Sequence, residues 1–166
     1  MTKLAPRIIT IVLLAALVCA DAGCVGAIGA FYFGRGTVRF NKGDYDHAIA
    51  DFNRVIALKH QLTHAYSMRS LCYYKKGDYA QALADGNQAV AFDAESAAAY
   101  QARALAYFRL GQLANARADL QQVIRLAKNE RLRASAVKLL NAINARAPDA
   151  TDKQAAPPEP VLEPSR

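Results

Sequence analysis

The sequence predicts an all-α fold made of three helix-turn-helix units in series, and three observations predict it. Identical residues recur thirty-four apart in five columns: Gly43, Gly77 and Gly111; Tyr32, Tyr66 and Tyr100; Arg35, Arg69 and Arg103; Ala48, Ala82 and Ala116; and Asp51, Asp85 and Asp119. A period of that size marks stacked structural repeats. Ala, Leu, Arg, Gln and Lys are abundant, β-branched windows are scarce after residue 40, and every Gly stands singly, which favours helix throughout. Finally, 166 residues that are 53% hydrophobic and contain no Trp suffice for one modest domain with tails.

In chain order, Lys3 and Arg7 precede an uncharged run from Ile8 to Ala20, followed by Asp21 and small residues, as in a secretory signal over 1–22. The run has thirteen residues and a bilayer needs about twenty. An uncleaved anchor would therefore extend through Asp21 to Phe33 and set a carboxylate near mid-membrane, at about 2.5–3.5 kcal/mol. Removal after Ala20 or Ala22 is preferred. Asp21-Ala22-Gly23-Cys24 resembles a bacterial lipobox, making lipidation of Cys24 a third reading, although Asp21 stands where an aliphatic residue is wanted. All three place the folded part beyond a membrane or tethered to one, in the periplasm, the cell envelope or outside the cell.

After a linker over 23–29, helices are expected at roughly 30–42 and 45–58, 63–76 and 79–92, and 97–110 and 113–127. The turn glycines Gly43, Gly77 and Gly111 follow the first helix of each pair, where the chain must turn left-handed. Small residues Gly36, Ser70 and Ala104, facing the Ala48 column, allow two helix axes to approach closely, and Tyr45, Tyr79 and Leu113 fill the corner. Such a pair cannot bury its apolar face alone, so about three must stack.

The Arg35 and Asp51 columns lie at matching heights on antiparallel helices, which predicts ion pairs that fix the register. Gly86 stands where Phe52 and Leu120 stand in the other units, so the second unit is expected to be the loosest. Leu132, Ala136, Leu139, Leu140 and Ile143 recur at helical spacing over 131–146, as in a terminal helix that covers the last unit. From Ala147 to Arg166 the sequence has five Pro and no apolar period, and reads as a solvated tail.

The stretch "RGTVRFNKGDYDHAIADFNRVIAL" (35–58) is echoed by "RSLCYYKKGDYAQALADGNQAVAF" (69–92) and "RALAYFRLGQLANARADLQQVIRL" (103–126). These segments resemble tetratricopeptide repeats, giving units over 29–62, 63–96 and 97–130. The resemblance implies a right-handed α-solenoid with a capping helix. It departs from the family in having His60, Ala94 and Lys128 where Pro is usual.

The resemblance implies a scaffold or adaptor of the cell envelope that binds a protein, as a peptide or helix, in the groove of the first helices. The groove residues it implies are Phe40, Asn41, His64, Leu71, Tyr74, Lys75, Gln101, Leu105, Phe108 and Arg109. Tyr74-Lys75 and Phe108-Arg109 are equivalent aromatic–cation pairs, suited to a ligand with an apolar anchor beside an acidic group. The family's carboxylate clamp needs cations and Asn at positions held here by Phe33, Thr37, Ser67, Leu71, Gln101 and Leu105, so that activity is not carried over.

The net charge is +7, and residues 101–146 alone hold nine Lys and Arg against Asp119 and Glu130. An alternative function is therefore an electrostatic surface for anionic lipid or an acidic polymer. No stacking or base-reading motif accompanies the charge, so specific nucleic-acid binding is not expected. Cys19, Cys24 and Cys72 form no framework, and His47, His60 and His64 belong to no metal-binding or nucleophile motif. No enzyme, metal or cofactor is expected. Mass measurement of the mature protein should find the first twenty or twenty-two residues missing, or a lipid on Cys24; an intact N-terminus in the membrane fraction would establish the anchor.

Overall fold

The computed structural model describes residues 25–146, so the expected signal, Cys24 and the Pro-containing tail lie outside the described residues. Seven α-helices follow one another there: α1 over residues 25–41, α2 (Tyr45–Ala57), α3 (Leu62–Lys76), α4 (Tyr79–Phe92), α5 (Ala97–Arg109), α6 (Leu113–Leu126) and α7 (Glu130–Arg146). The second to seventh helices fall within a residue or two of expectation. Residues 25–29, expected as a linker, are already helical and extend α1.

Each pair closes through the same backbone device. Gly43, Gly77 and Gly111 take φ of 80°, 89° and 75°. Just beyond each, the amide N–H of Asp44, Asp78 or Gln112 reaches back to the carbonyl of Arg39, Tyr73 or Tyr107, satisfying a carbonyl the helix end would otherwise leave open. Between units, side chains replace the missing Pro. Ser96 caps α5 by accepting from the Ala99 amide at 3.3 Å, and Asn129 accepts from the Arg131 amide at 2.8 Å at the start of α7. The first inter-unit turn instead places Lys59 and Gln61 in the left-handed region, which L side chains adopt only at a cost.

Small residues let the helices pack. Ala48, Ala82 and Ala116 are fully buried, and so are Ala65 and Ala99. One core cluster gathers Ala48, Phe52 and Cys72 with Phe33, Phe40 and Tyr45 at its edge; another gathers Leu120, Val123, Ala136 and Ile143, joining α6 to α7. Burial, helped by nearby Asp85, pushes the Cys72 thiol up to about 12, so it stays a neutral packing group. Among the described residues no helix is long and apolar enough to cross a membrane.

Gly86 corrects one expectation. It is buried, and a Cβ added there would lie 2.9 Å from the Arg103 Cα and 2.8 Å from its Cβ. The space that Phe52 or Leu120 fills in the other units is taken here by α5 itself, so the small residue marks a close inter-unit approach rather than a loose repeat. Gly34, by contrast, has nothing within 4 Å of the same added atom. Gly34→Ala should therefore stabilise by up to about 1 kcal/mol through helix propensity alone. Gly86→Ala should destabilise by about 1–3 kcal/mol through overpacking despite the same propensity gain. Urea unfolding followed by circular dichroism checks both signs; equal effects at the two positions would refute the packing account.

Candidate interaction groove

The repeated Arg and Asp columns meet, and they meet within each unit. Arg35 pairs with Asp51 at 2.6 Å, Arg69 with Asp85 at 2.6 Å and Arg103 with Asp119 at 2.7 Å, each with a second bond from Nε to the other carboxylate oxygen. Paired parallel bonds of this kind orient as well as attract. The carboxylates are buried. Arg69 and Arg103 each send a further N–H to the preceding unit, to Asn53 Oδ1 at 2.5 Å and to Asn87 Oδ1 at 3.3 Å. These Asn, also thirty-four apart, were not singled out in the sequence although the same period carries them. In the first unit Arg39 supplies a second cation to Asp51 at 2.7 Å.

Ionisation follows this geometry. Burial is the largest influence on Asp51 and opposes its charge, but the hydrogen bonds and charges of Arg35 and Arg39 together outweigh it and hold its pKa below the usual carboxylate value. Arg69 and Arg103 are pushed further up, first by the hydrogen bonds to their Asp partners and against the effect of burial.

With the pairs fixing each unit, the first helices α1, α3 and α5 lie side by side, while α7 packs on α6 and reaches α5 at one edge. The joints are visible: the Phe33 and His64 rings are 6.4 Å apart between α1 and α3, the Arg109 guanidinium sits 5.7 Å from the Tyr74 ring between α5 and α3, and Gln101 Nε2 donates to Ser135 Oγ at 3.2 Å between α5 and α7. Gln101 and Ser135 are themselves thirty-four apart, as are Leu105 and Leu139. The capping helix thus keeps the residue spacing of a fourth unit's first helix but packs on α6.

A groove of about 360 Å³ opens between α5 and α7, lined by Gln101, Leu105, Leu120, Ser135, Lys138 and Leu139 among others. Beside it a polar hollow of about 280 Å³ shares Gln101 and Ser135 and adds Asn129, Arg131 and Leu132. The α7 lining residues were missing from the sequence-based set. The signal that finds them is the repeat period continued one helix further.

The remaining sequence-based residues divide. Asn41, His64 and Lys75 are exposed and Leu71 is half-buried. Phe40 packs against Tyr45 at the edge of the first core cluster, 5.7 Å between ring centroids, and so serves the fold. Phe108 packs on the second cluster and also borders a hollow of about 450 Å³ with Arg109, Gly111 and Leu113. Arg109 lies over the Tyr79 ring at 4.6 Å as well as over Tyr74, so the strip that unites Tyr74 and Arg109 includes the corner residue Tyr79, which the sequence assigned to filling the turn. Such stacking holds the cation by the ring's negative face.

Several of the C-terminal cations have partners in the chain. Arg133 bonds Glu130 and the Ala127 carbonyl, and Arg125 bonds Gln122. The His60 side chain lies against Gly29, and its Nε2 is buried without a hydrogen-bond partner. Among the described residues no group of three or more His, Cys, Asp or Glu side chains is placed to hold a metal ion.

A family model described as "Tetratricopeptide repeat" matches residues 30–61, 63–96 and 97–130. No curated protein matches the sequence. Among solved structures, the first such domain of Spaghetti (RPAP3), bound to the HSP90 peptide SRMEEVD, is 26% identical, with a TM-score of 0.68 over 73% of this chain and 96% of that one. The second domain of human RPAP3, in complex with the HSP70 peptide SGPTIEEVD, is 27% identical, with a TM-score of 0.64 over 72% and 98%. The type III secretion translocator chaperone SycD of Yersinia enterocolitica is 19% identical, with a TM-score of 0.65 over 70% and 83%, a likeness of fold.

The lowered pKa of Asp51 carries a sign. A depressed carboxylate contributes stability that is complete above its unfolded value, about 4, and is lost as pH falls through the lower folded value. Asp51→Asn should therefore lower the urea midpoint at pH 7, and the gap to the wild-type chain should narrow as pH drops below about 4. A gap that stays constant down to pH 2 would remove the ion pair from the account.

Proposed function

The chain belongs to the tetratricopeptide repeat family, and we propose that it is a peptide-binding interaction scaffold whose partner lies along the face of α1, α3 and α5 and anchors between α5 and α7. Repeats of this family are non-catalytic interaction modules, so binding is the activity to be explained. The observation that carries the reading is the groove lined by Leu105, Leu120 and Leu139, with Gln101, Ser135 and Lys138 along it and Arg131 in the adjoining hollow. An apolar side chain entering it loses contact with water, and an acidic neighbour meets Lys138 or Arg131. The two peptide complexes described above hold peptides of that character, each with an apolar Met or Ile ahead of Glu-Glu-Val-Asp.

The positions of the carboxylate clamp are occupied here by residues such as Thr37, Ser67 and Leu71, so the partner is expected to differ from those chaperone tails. Envelope residence follows from the sequence of the N-terminus. The electrostatic alternative is weaker, because Arg103 and Arg133 are neutralised by Asp119 and Glu130 and Arg109 is held over Tyr74 and Tyr79.

The full chain, titrated by fluorescence anisotropy with labelled peptides that pair one Leu, Ile or Met with Glu, should bind them over versions in which the apolar residue is Gly. Leu139→Asp should weaken binding by about tenfold or more, the effect of losing a buried anchor. Lys138→Glu should weaken it less and reduce its salt dependence. Equal binding of the Gly peptides, or binding untouched by Leu139→Asp in a chain of normal helicity, would overturn the reading.

A further inference from the structure

The helix that lines the groove also brings the rest of the chain to it. Gln101 on α5 bonds Ser135 on α7, and Leu105 and Leu139 line one groove, both pairs thirty-four residues apart, so the two helices run in the same direction. At that offset Arg146, the last residue of α7, comes level with the α5–α6 turn at Gly111 and Gln112. From Arg146 back to Leu139 is about 10 Å along the helix.

The groove is built for an apolar side chain with acidic neighbours. Leu105, Leu120 and Leu139 wall it, Lys138 stands at its rim and Arg131 lines the adjoining hollow. Among the described residues no carboxylate lies within ion-pair distance of either cation. Arg131 and Lys138 stand two turns apart on α7, again about 10 Å.

One segment of the chain, outside the described residues, has the matching composition. Val161 and Leu162 are the only large apolar side chains of residues 147–166, and they lie between Glu159 and Glu163. Residues 147–166 hold Asp149, Asp152, Glu159 and Glu163 against Lys153 and Arg166, a charge opposite in sign to that of residues 101–146. Charges so arranged favour encounter. From Glu159 to Glu163 an extended chain spans at most about 14 Å, enough to set one acid at Lys138 and the other towards Arg131. The stretch from Arg146 to Leu162 reaches at most about 55 Å, several times the distance back to Leu139.

We propose that the segment Glu159–Glu163 is the groove's own ligand: Val161 or Leu162 enters between Leu105 and Leu139, and an outside partner must displace it. The proposal rests on the reading of the α5–α7 groove as the partner site. A segment tethered this closely faces the groove at an effective concentration of about 1 mM. Contacts too weak to hold two separate molecules together then still fill the site, and only a partner of higher affinity gains entry.

The test keeps the full chain and changes only the segment. Val161→Asp and Leu162→Asp together leave α1–α7 untouched and should empty the groove. A fluorophore-labelled synthetic peptide of residues 157–166 is titrated by anisotropy into the wild-type chain and the double variant. The variant should bind it at least about tenfold more tightly, as for a site that the tether otherwise keeps about nine-tenths filled. Leu139→Asp added to the variant should remove that gain. Equal affinity for both chains overturns the proposal and leaves the groove reading intact, as does a variant that binds a Leu–Glu peptide of unrelated sequence but not the labelled segment. A double variant that binds neither peptide overturns both. A wild-type chain that sediments as a dimer where the variant is a monomer would put the segment in a second copy's groove, and this too overturns the proposal.

Discussion

A guanidinium gripping a buried carboxylate sixteen residues further along is the contact on which the geometry of this protein turns. It recurs as Arg35–Asp51, Arg69–Asp85 and Arg103–Asp119, with two bonds each time. An ion pair removed from water returns little net stability, since desolvation offsets most of the attraction. Its value is geometric: two antiparallel helices can slide by a turn with little change in apolar contact, but the forked guanidinium meets the carboxylate at one register only. The aromatic rings around each Arg, Tyr66 and Tyr73 for Arg69, Tyr100 and Tyr107 for Arg103, restrict it further.

The same Arg links one unit to the next. Its spare N–H reaches Asn53 or Asn87 on the preceding second helix, so the register inside a unit and the stacking between units are set by one side chain. The small residues then determine how near the helices come. Where α4 and α5 approach most closely, Gly86 leaves room for the backbone of Arg103 itself. Rotation and rise repeat as a consequence, and a continuous face of first helices results.

The repetition is broken at both ends of the described residues. At the C-terminal end α7 keeps the Gln101–Ser135 spacing of another first helix, yet it packs chiefly on α6 and leaves a groove beside α5. At the N-terminal end of the described residues, α1 keeps apolar side chains in the open.

The period of thirty-four, visible in five columns, determined by itself the helix pairs, the turn glycines and the ion pairs, because each is a local or near-local requirement that identical residues meet in every copy. Its continuation into Ser135 and Leu139 was equally present but hidden, since a capping helix keeps the spacing while losing the Arg, Ala and Asp that identify a unit. Only tertiary structure decided that Gly86 is a site of close approach, that Phe40 faces the core and that Tyr79 joins Tyr74 under Arg109. Those outcomes depend on how far apart neighbouring helices settle, a distance fixed by the sum of all side chains between them and written in no single column of the sequence.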